Sequence, residues 1–340
     1  MPYLSFAAVC LLFGSNFYLM SLSLQAFGPV AVGAGRVLGA AAVMLLLWRL
    51  LSPTERVPRD KLAGCLGFGL LANGYPYVMQ PYLIEQAKQI GGGAGHSFFG
   101  MMVAFTPLLT IMVSPVMLGV WPTRRQLVGV VGGLGFMALL LEDGSQRGIT
   151  PAMLAMAFSV PLSYAVANTY LRRSLSDVAS VPLSATMLLA PAAVLLPLAV
   201  STPLLEPISL AGPAVRQNLP VALAAVSLLG VLGTGITMWL FVRMVQQQGP
   251  LFAGMVTYVV PLVALSWGVF DGEQITTKQQ IAIAGVLSMV ALVQFGSASK
   301  QAATQNAGTE GARRAEPPSP READAAAGEL GELSASVANR

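Results

Sequence analysis

The chain has 340 residues, of which 55% are hydrophobic and only 10% are charged, with a formal net charge of +4. An ordinary soluble domain carries roughly 25% charged residues, so this composition excludes that class and indicates a protein surrounded by lipid. Exposed segments contain no basic patch interleaved with aromatic residues, and a nucleic-acid partner is therefore not expected.

Apolar runs long enough to cross a membrane recur along the whole sequence. A helix needs about 20 mostly apolar residues to cross the hydrocarbon core. Breaks containing Pro, Gly or Asp separate the runs. The predicted fold class is an all-α integral membrane protein with about ten transmembrane helices, at residues 3–24, 29–51, 62–84, 96–119, 124–141, 149–171, 181–201, 219–245, 250–270 and 278–297.

The two ends of the chain differ in character. The first run lacks a basic n-region and many further spans follow it, so a cleavable signal peptide is not expected. Residues 298–340 are rich in Ala, Gly, Glu, Pro and Ser. Such a segment cannot bury enough apolar surface to offset the cost of ordering, and a disordered tail is predicted.

The basic residues predict the orientation of the spans. If the N-terminus is cytoplasmic, the outer loops hold Lys88, Arg147, Arg216 and Lys278. The cytoplasmic side then holds nine basic residues: Arg49, Arg56, Arg59, Lys61, Arg124, Arg125, Arg172, Arg173 and Arg243. Because cytoplasmic loops carry an excess of Lys and Arg, we expect both termini, and the tail, to be cytoplasmic.

The sequence resembles itself at a shift of 154 positions. Without a gap, matched pairs include Gly95 with Gly249, Phe98 with Phe252, Gly100 with Gly254, Met101 with Met255, Pro107-Leu108 with Pro261-Leu262, Thr123 with Thr277 and Gln126 with Gln280. Chance similarity between apolar segments is the alternative, but a gapless register over two spans and their loop favours duplication. The predicted units are repeats 1–143 and 144–297, followed by the tail at 298–340.

Five spans in each repeat place the second copy upside down relative to the first. Inverted repeats are typical of secondary transporters, whose substrate site lies near the midplane between the halves. This pattern predicts transport without naming a cargo.

Several motifs carry a family resemblance over about residues 3–297. They are "LLFGSNFYL", "GAGRVLGAA", "FTPLLTIMVS", "TRRQLVGVVGGLGFMALLL" and "TTKQQIAIAGVLSMVALV". In order and spacing the chain resembles an EamA-type member of the drug/metabolite transporter superfamily. The resemblance implies ten helices in two repeats, location in the cell inner membrane and export of small solutes. The chain departs from the family in the region "GYPYVMQPYLIEQAKQIGGGAGHSF" and in lacking an arginine in the second span of the second half.

Arg36 is the one charged residue between Gly28 and Trp48. An arginine at the bilayer centre costs about 2.5–3.5 kcal/mol on insertion scales. One interpretation is that it snorkels to the outer headgroups while Gly33, Gly35 and Gly39 admit a neighbouring helix. The favoured one is that it faces a wet cavity and binds an anionic group such as a substrate carboxylate.

The third span is the most polar, and its Pro76 and Pro81 predict a broken helix. Broken membrane helices are tolerated where they line a cavity. Asn73, Tyr77 and Gln80 are therefore candidate lining residues. Further candidates for the pathway are Asn16, Tyr164, Asn168, Thr237, Trp239 and Tyr258.

His96 is the only histidine in the chain and follows a glycine-rich loop. No Asp or Glu lies in the middle of a span, so a facilitator, or coupling through His96, fits better than carboxylate-driven antiport. Pro107 and Pro261, which match in the repeats, are candidate gating kinks; plain helix distortion is the alternative.

The remaining function classes fit the residues less well. Cys10 and Cys65 lie within predicted spans, so a disulfide framework is not expected. With His96 as the only histidine there is no Cys/His metal spacing, and neither a metal site nor a cofactor is expected. Without clustered carboxylates or a nucleophile–base pair, an enzyme is not expected.

The sequence therefore predicts an exporter of amino acids or related amphipathic solutes. A nucleotide-sugar or sugar-phosphate carrier, a channel and a non-transport membrane protein are the alternatives. The expected partners are a small-molecule substrate and lipid, with a homodimer as a further candidate.

Overall fold

Ten helical spans form the molecule in the computed structural model, which describes residues 2–89, 96–142, 149–201, 213–241, 243–244, 256–273 and 276–292. Spans 1 and 2 are single helices, α1 (Pro2–Ser23) and α2 (Pro29–Leu51). Pro29 begins α2, where its missing N–H has no intrahelical partner to lose. The predicted tail at 298–340 lies outside the described residues, as do Gly95, Gly249 and most of the glycine-rich loop before His96.

Spans 3 and 4 each contain an irregular turn. Span 3 runs through α3 (Leu62–Gly69), a π-helical segment (Leu70–Gly74) and α4 (Tyr75–Gln89). Span 4 runs through α5 (His96–Met102), a 3₁₀ turn (Val103–Phe105) and α6 (Thr106–Leu118). Span 5 is α7 (Arg124–Glu142). The prediction of a broken span 3 is thus corrected: the span stays helical throughout, with a π-helical turn just before Pro76, and α4 continues through Pro81.

The second half repeats this pattern. Spans 6 and 7 are α8 (Pro151–Ser174) and α9 (Ser180–Ser201). Span 8 runs through α10 (Pro213–Gly230), a second π-helical segment (Val231–Ile236) and α11 (237–241). Spans 9 and 10 are α12 (Val256–Phe270) and α13 (Thr277–Leu292). Each half thus carries its π-helical segment in its third span.

Six of the described helices are long and apolar enough to cross a membrane: Tyr3–Ser23, Pro29–Leu51, Phe98–Leu118, Pro151–Ser174, Ser180–Ser201 and Gln217–Phe241. Two shorter apolar helices are Val259–Phe270 and Thr277–Leu292. Many large apolar side chains are exposed, including Leu46, Val116 and Val200. Such a surface is stable in lipid and would be costly in water.

Glycines let the two halves approach closely at the centre. The Cα of Gly230 in span 8 lies 3.0 Å from the position that a Cβ on Gly39 of span 2 would occupy. In span 3, a Cβ on Gly69 would collide with the carbonyl oxygen of Met187 in span 7. The third span of each half therefore packs, through a glycine, against the second span of the other half. Small residues at helix contacts are the usual means of packing in membranes.

Candidate transport site between the two halves

Arg36 lies at the meeting point of the two halves and is 4% exposed. Its Nε donates a hydrogen bond to Thr234 Oγ1 in span 8 at 2.8 Å. Its Nη1 donates to Gln80 Oε1 in span 3 at 3.4 Å. The guanidinium carbon lies 3.7 Å from the centre of the Tyr77 ring, in a cation–π arrangement. We call Arg36, Tyr77, Gln80 and Thr234 the Arg36 cluster.

No carboxylate in the described part of the chain forms an ion pair with Arg36. The ring of Tyr77 and the neutral oxygens of Gln80 and Thr234 stabilise the cation only partly, since none of them carries a full negative charge. Thr234 Oγ1 itself donates to the Leu229 carbonyl at 3.0 Å, which directs its lone pairs toward Arg36. The site is therefore organised for a cation that retains the capacity to bind an anion.

The π-helical segment of span 3 leaves a backbone carbonyl without its helical donor. The N–H of Tyr75 bonds to Leu70 O, five residues back. Leu71 O then lacks a helical donor, because Pro76 has no N–H. Ser163 Oγ of span 6 donates to that carbonyl at 2.5 Å. A residue of the second half thus completes the hydrogen bonding of a helix in the first.

The π-helical segment of span 8 is completed in the same way from the other half. The N–H of Thr237 bonds to Leu232 O, which deprives Gly233 O of its usual donor. Asn16 Nδ2 of span 1 donates to Gly233 O at 2.9 Å. The first span of each half therefore hydrogen-bonds the third span of the other. Helical turns of this type occur frequently at functional sites.

Two buried amide groups near these segments keep unused hydrogen-bonding atoms. Asn16 is 3% exposed and Asn73 is 2% exposed. Asn16 Oδ1 and Asn73 Nδ2 have no hydrogen-bond partner among the described residues. Leaving a buried polar atom unpaired costs about 1–3 kcal/mol. One unused acceptor and one unused donor thus lie next to the irregular turns.

The other predicted pathway residues divide into two groups. Tyr164 is half-buried and within hydrogen-bonding reach of Gln80, so it extends the Arg36 cluster. Thr237 is fully buried and donates to Leu232 O at 2.6 Å. Trp239 lies farther along span 8, where its ring centre is 5.6 Å from the guanidinium carbon of Arg243. Asn168 is exposed on span 6. The side chain of Tyr258 lies outside the described residues.

The four prolines occupy different local positions. Pro76 follows the π-helical segment, and Pro81 lies inside α4; both are buried. Pro107 is at the start of α6, directly after the 3₁₀ turn, whereas the matching Pro261 lies inside α12. Their role in gating stays a prediction.

His96 lies at one end of the spans rather than with Arg36. Its Nδ1 is 2.9 Å from Glu273 Oε1 and 3.6 Å from Asp271 Oδ2. The ammonium of Lys88 donates a hydrogen bond to Ser21 Oγ at 2.7 Å. It also interacts electrostatically with the carboxylates of Asp271 and Glu273. We call Lys88, His96, Asp271 and Glu273 the His96 cluster.

At the opposite end of the spans, Lys61 forms an ion pair with Asp177. This hydrogen-bonded pair lowers the pKa of the Asp177 carboxyl below its usual range. Because Asp177 is exposed, the pair contributes little to stability. It nevertheless links the start of span 3 to the loop between spans 6 and 7.

Comparison with known proteins agrees with this two-half arrangement. A model of the EamA-like transporter family matches residues 1–141 and again residues 151–295. The chain belongs to this family. The two matches coincide with the two five-span halves, which confirms the predicted resemblance and the two-repeat membrane fold. As an EamA-like protein, the chain is a membrane transporter.

Individual relatives of this EamA-like chain are more distant. Over 293 residues it is 24% identical to the "Uncharacterized inner membrane transporter YedA" of Escherichia coli K12, covering 85% of this chain and 89% of the relative. Proteins of the same description from Escherichia coli O6:H1 and O157:H7 match equally. A solved crystal structure shares the fold with a TM-score of 0.58 and 19% identity, covering 86% of this chain and 95% of that chain.

Sequence reasoning missed several residues of this EamA-like chain that contact the predicted ones. Thr234, Ser163, Asp271 and Glu273 each contact a predicted residue or segment but were not themselves predicted. The only sequence signal for Thr234 is its place in a glycine-rich run, "GVLGTG", in the eighth span. Asp271 and Glu273 flank Gly272, whose φ of +84° turns the chain directly after α12. That turn was interpreted only as the end of a span.

Proposed function

We propose that the chain is a secondary transporter of the inner membrane that exports small metabolites, such as amino acids or related amphipathic solutes, by alternating access. Both termini are cytoplasmic in this proposal, and the Arg36 cluster is the substrate site. The observation that carries the proposal is the burial of Arg36 at the junction of the halves, without a carboxylate partner among the described residues.

Contacts across the junction support alternating access. Arg36 of span 2 bonds to Gln80 in its own half and to Thr234 in the other. A rocking motion of one half against the other would change the second contact while preserving the first. Substrate sites at the interface of inverted repeats are exposed to each side in turn by such motions.

The number of basic residues favours a carboxylate over a diphosphate as the bound group. Away from the helix ends, Arg36 is the only Lys or Arg within the described spans. A nucleotide-sugar or sugar-phosphate carrier would be expected to place several cations around its more highly charged ligand. Asn16 Oδ1 and Asn73 Nδ2, which have no hydrogen-bond partner in the described part of the chain, add an acceptor and a donor for the polar groups of an amphipathic solute.

Flux measurements with Arg36 variants test the proposal. Purified protein in liposomes is loaded with a panel of labelled amino acids and other carboxylated metabolites, and efflux is followed for the wild type and Arg36→Gln. Loss of a charge-assisted hydrogen bond costs about 1.5–3 kcal/mol, so apparent affinity for the transported solute should fall about 10- to 100-fold. Arg36→Lys keeps the charge but loses the planar donor geometry, and should be impaired to a smaller extent.

Arg49→Gln is the matched control. Arg49 lies on the same helix, is exposed at its end and undergoes the same change of charge. Its flux should equal that of the wild type. If folded Arg36→Gln protein transports every solute as well as Arg49→Gln does, Arg36 is not in the substrate site.

A further inference from the structure

The side chain of His96 is buried and only partly hydrogen-bonded. It is 1% exposed, and its Nδ1 faces Glu273 at 2.9 Å and Asp271 at 3.6 Å. Its Nε2 is buried without a hydrogen-bond partner among the described residues. A neutral imidazole with its proton on Nδ1 satisfies this geometry, and Nε2 is then free to accept a second proton.

The groups around His96 come from three elements. Span 3 contributes Lys88, which interacts with both carboxylates, and the turn after span 9 contributes Asp271 and Glu273. Span 1 contributes Tyr18, whose ring centre lies 5.6 Å from that of His96. The charged groups at this end are therefore one ammonium, that of Lys88, and the two carboxylates of Asp271 and Glu273. A second proton on the imidazole gives His96 a positive charge that faces both carboxylates.

These contacts join the two halves at one end of the molecule. Lys88 and His96 belong to the first half, whereas Asp271 and Glu273 belong to the second. Beside them, Tyr18 of span 1 stacks on Trp267 of span 9, with ring centres 4.8 Å apart. Trp267 Nε1 also donates to Ser15 Oγ at 2.8 Å. Any opening between the halves at this end must separate His96 from both carboxylates.

The internal repeat does not duplicate the residues of this contact. At a shift of 154 positions, His96 matches Pro250, Asp271 matches Met117 and Glu273 matches Gly119. None of these matched residues can titrate. The two ends of a molecule built from inverted repeats would otherwise be equivalent. Duplication alone therefore does not supply a matching histidine–carboxylate contact in the other half.

We propose that the His96 cluster is a proton-controlled latch that holds the mouth on the non-cytoplasmic side closed while His96 is protonated. The assignment to this side of the inner membrane rests on the proposed function and orientation. Acid on this side strengthens the contact of His96 with Asp271 and Glu273, and the mouth opens less often. Loss of the proton weakens the contact and favours opening. The proton returns to the side from which it came, so the latch regulates export without driving it.

Distances across the mouth test the latch without a substrate. Spin labels are attached at Gln89→Cys and Phe270→Cys, both exposed, in protein whose Cys10 and Cys65 are replaced by Ala. Distance distributions are recorded in liposomes between about pH 5 and about pH 8, the range in which histidine titrates. The short-distance population should dominate in acid, and the closed-to-open ratio should fall about tenfold toward the alkaline end.

Two variants assign the pH response. His96→Gln keeps an amide donor for Glu273 but does not titrate, so its distances should not change with pH. Glu85→Gln removes a carboxylate of span 3 that makes no ion pair with His96, and should retain the wild-type response. The latch is overturned if His96→Gln responds to pH as the wild type does, if Glu85→Gln abolishes the response, or if the wild type shows none.

A second substitution covers the case in which His96→Gln does not fold. Glu273→Gln removes the nearer carboxylate, so the change of the distances with pH should become smaller. An unchanged amplitude in this variant contradicts the latch. The distance measurements need no transported solute. An absence of flux in the Arg36 experiment would therefore overturn the proposed function, and the distance measurements would still test the latch.

Discussion

The hydroxyl of Thr234 is the contact through which the second half stabilises Arg36. It accepts from Arg36 Nε at 2.8 Å and donates to Leu229 O at 3.0 Å. A buried guanidinium that loses such an acceptor retains the full cost of its removal from water. Thr234 therefore matters more than an ordinary buried threonine.

Replacing Thr234 by Val should destabilise the protein without changing the shape of the side chain. A buried donor left unpaired costs about 1–3 kcal/mol, and the free energy of unfolding should fall by about that amount. Thr234→Ser keeps the hydroxyl and serves as the control. Chemical denaturation in detergent, followed by circular dichroism, measures the free energy of unfolding of both variants. Equal stability of the Val and Ser variants would show that the hydroxyl does not stabilise Arg36.

From the sequence alone, Arg36 was a candidate as a charge in an apolar run, and Tyr77 and Gln80 were candidates as polar residues of a proline-containing span. The sequence did not identify Thr234, which lies 198 residues from Arg36 in the chain. A threonine in a membrane helix more often bonds its own backbone, as Thr110 does with Thr106 O. Only the packing of the eighth span against the second distinguishes Thr234 from such residues.

At the scale of elements, the third span of each half is the irregular one. Glycine precedes each π-helical segment, as Gly69 in span 3 and Gly230 in span 8. In both cases the glycine faces the backbone of a helix from the other half. A side chain at either position would separate two helices that cross at backbone distance.

Gly69→Ala should strongly destabilise the protein, whereas Gly67→Ala should not. The added methyl at position 69 meets the carbonyl of Met187, which cannot move without displacing span 7. Overpacking of this kind costs about 1–3 kcal/mol. Gly67 is on the same helix with open space around it, and alanine there gains up to about 1 kcal/mol of helix propensity. Thermal unfolding of the two variants compares them; a similar loss in both would contradict the close contact at Gly69.

The positions of the ten spans could be predicted from apolar length and from proline and glycine breaks, and the helices lie close to them. The π-helical segments could not. Their hydrogen-bond register depends on donors from distant helices, such as Ser163 Oγ on Leu71 O, and no local pattern encodes those donors. Pro76 gave a partial signal, since it removes one of the donors that Leu71 O would otherwise use.

For the whole molecule, the orientation in the membrane is the property that most needs a direct test. The basic residues predict that the loop containing Glu55 is cytoplasmic and that the loop containing Gln25 is outside. Both residues are exposed. Single cysteines at these sites, in protein lacking Cys10 and Cys65, can be treated with a membrane-impermeant maleimide on intact cells. Gln25→Cys should react at once, and Glu55→Cys should react only after permeabilisation. The reverse pattern would show that the protein has the opposite orientation.

The reciprocal hydrogen bonds between the halves also constrain the order of biogenesis. Ribosomes deliver span 3 to the membrane long before span 6, yet Leu71 O obtains its donor from Ser163. Arg36 likewise lacks its hydrogen-bond acceptor until Thr234 has been inserted. A newly inserted first half therefore carries an incompletely bonded helix and a weakly stabilised cation until the second half arrives. Quality-control proteases that recognise polar groups exposed within the bilayer would have a physical basis for removing chains that stop at the midpoint.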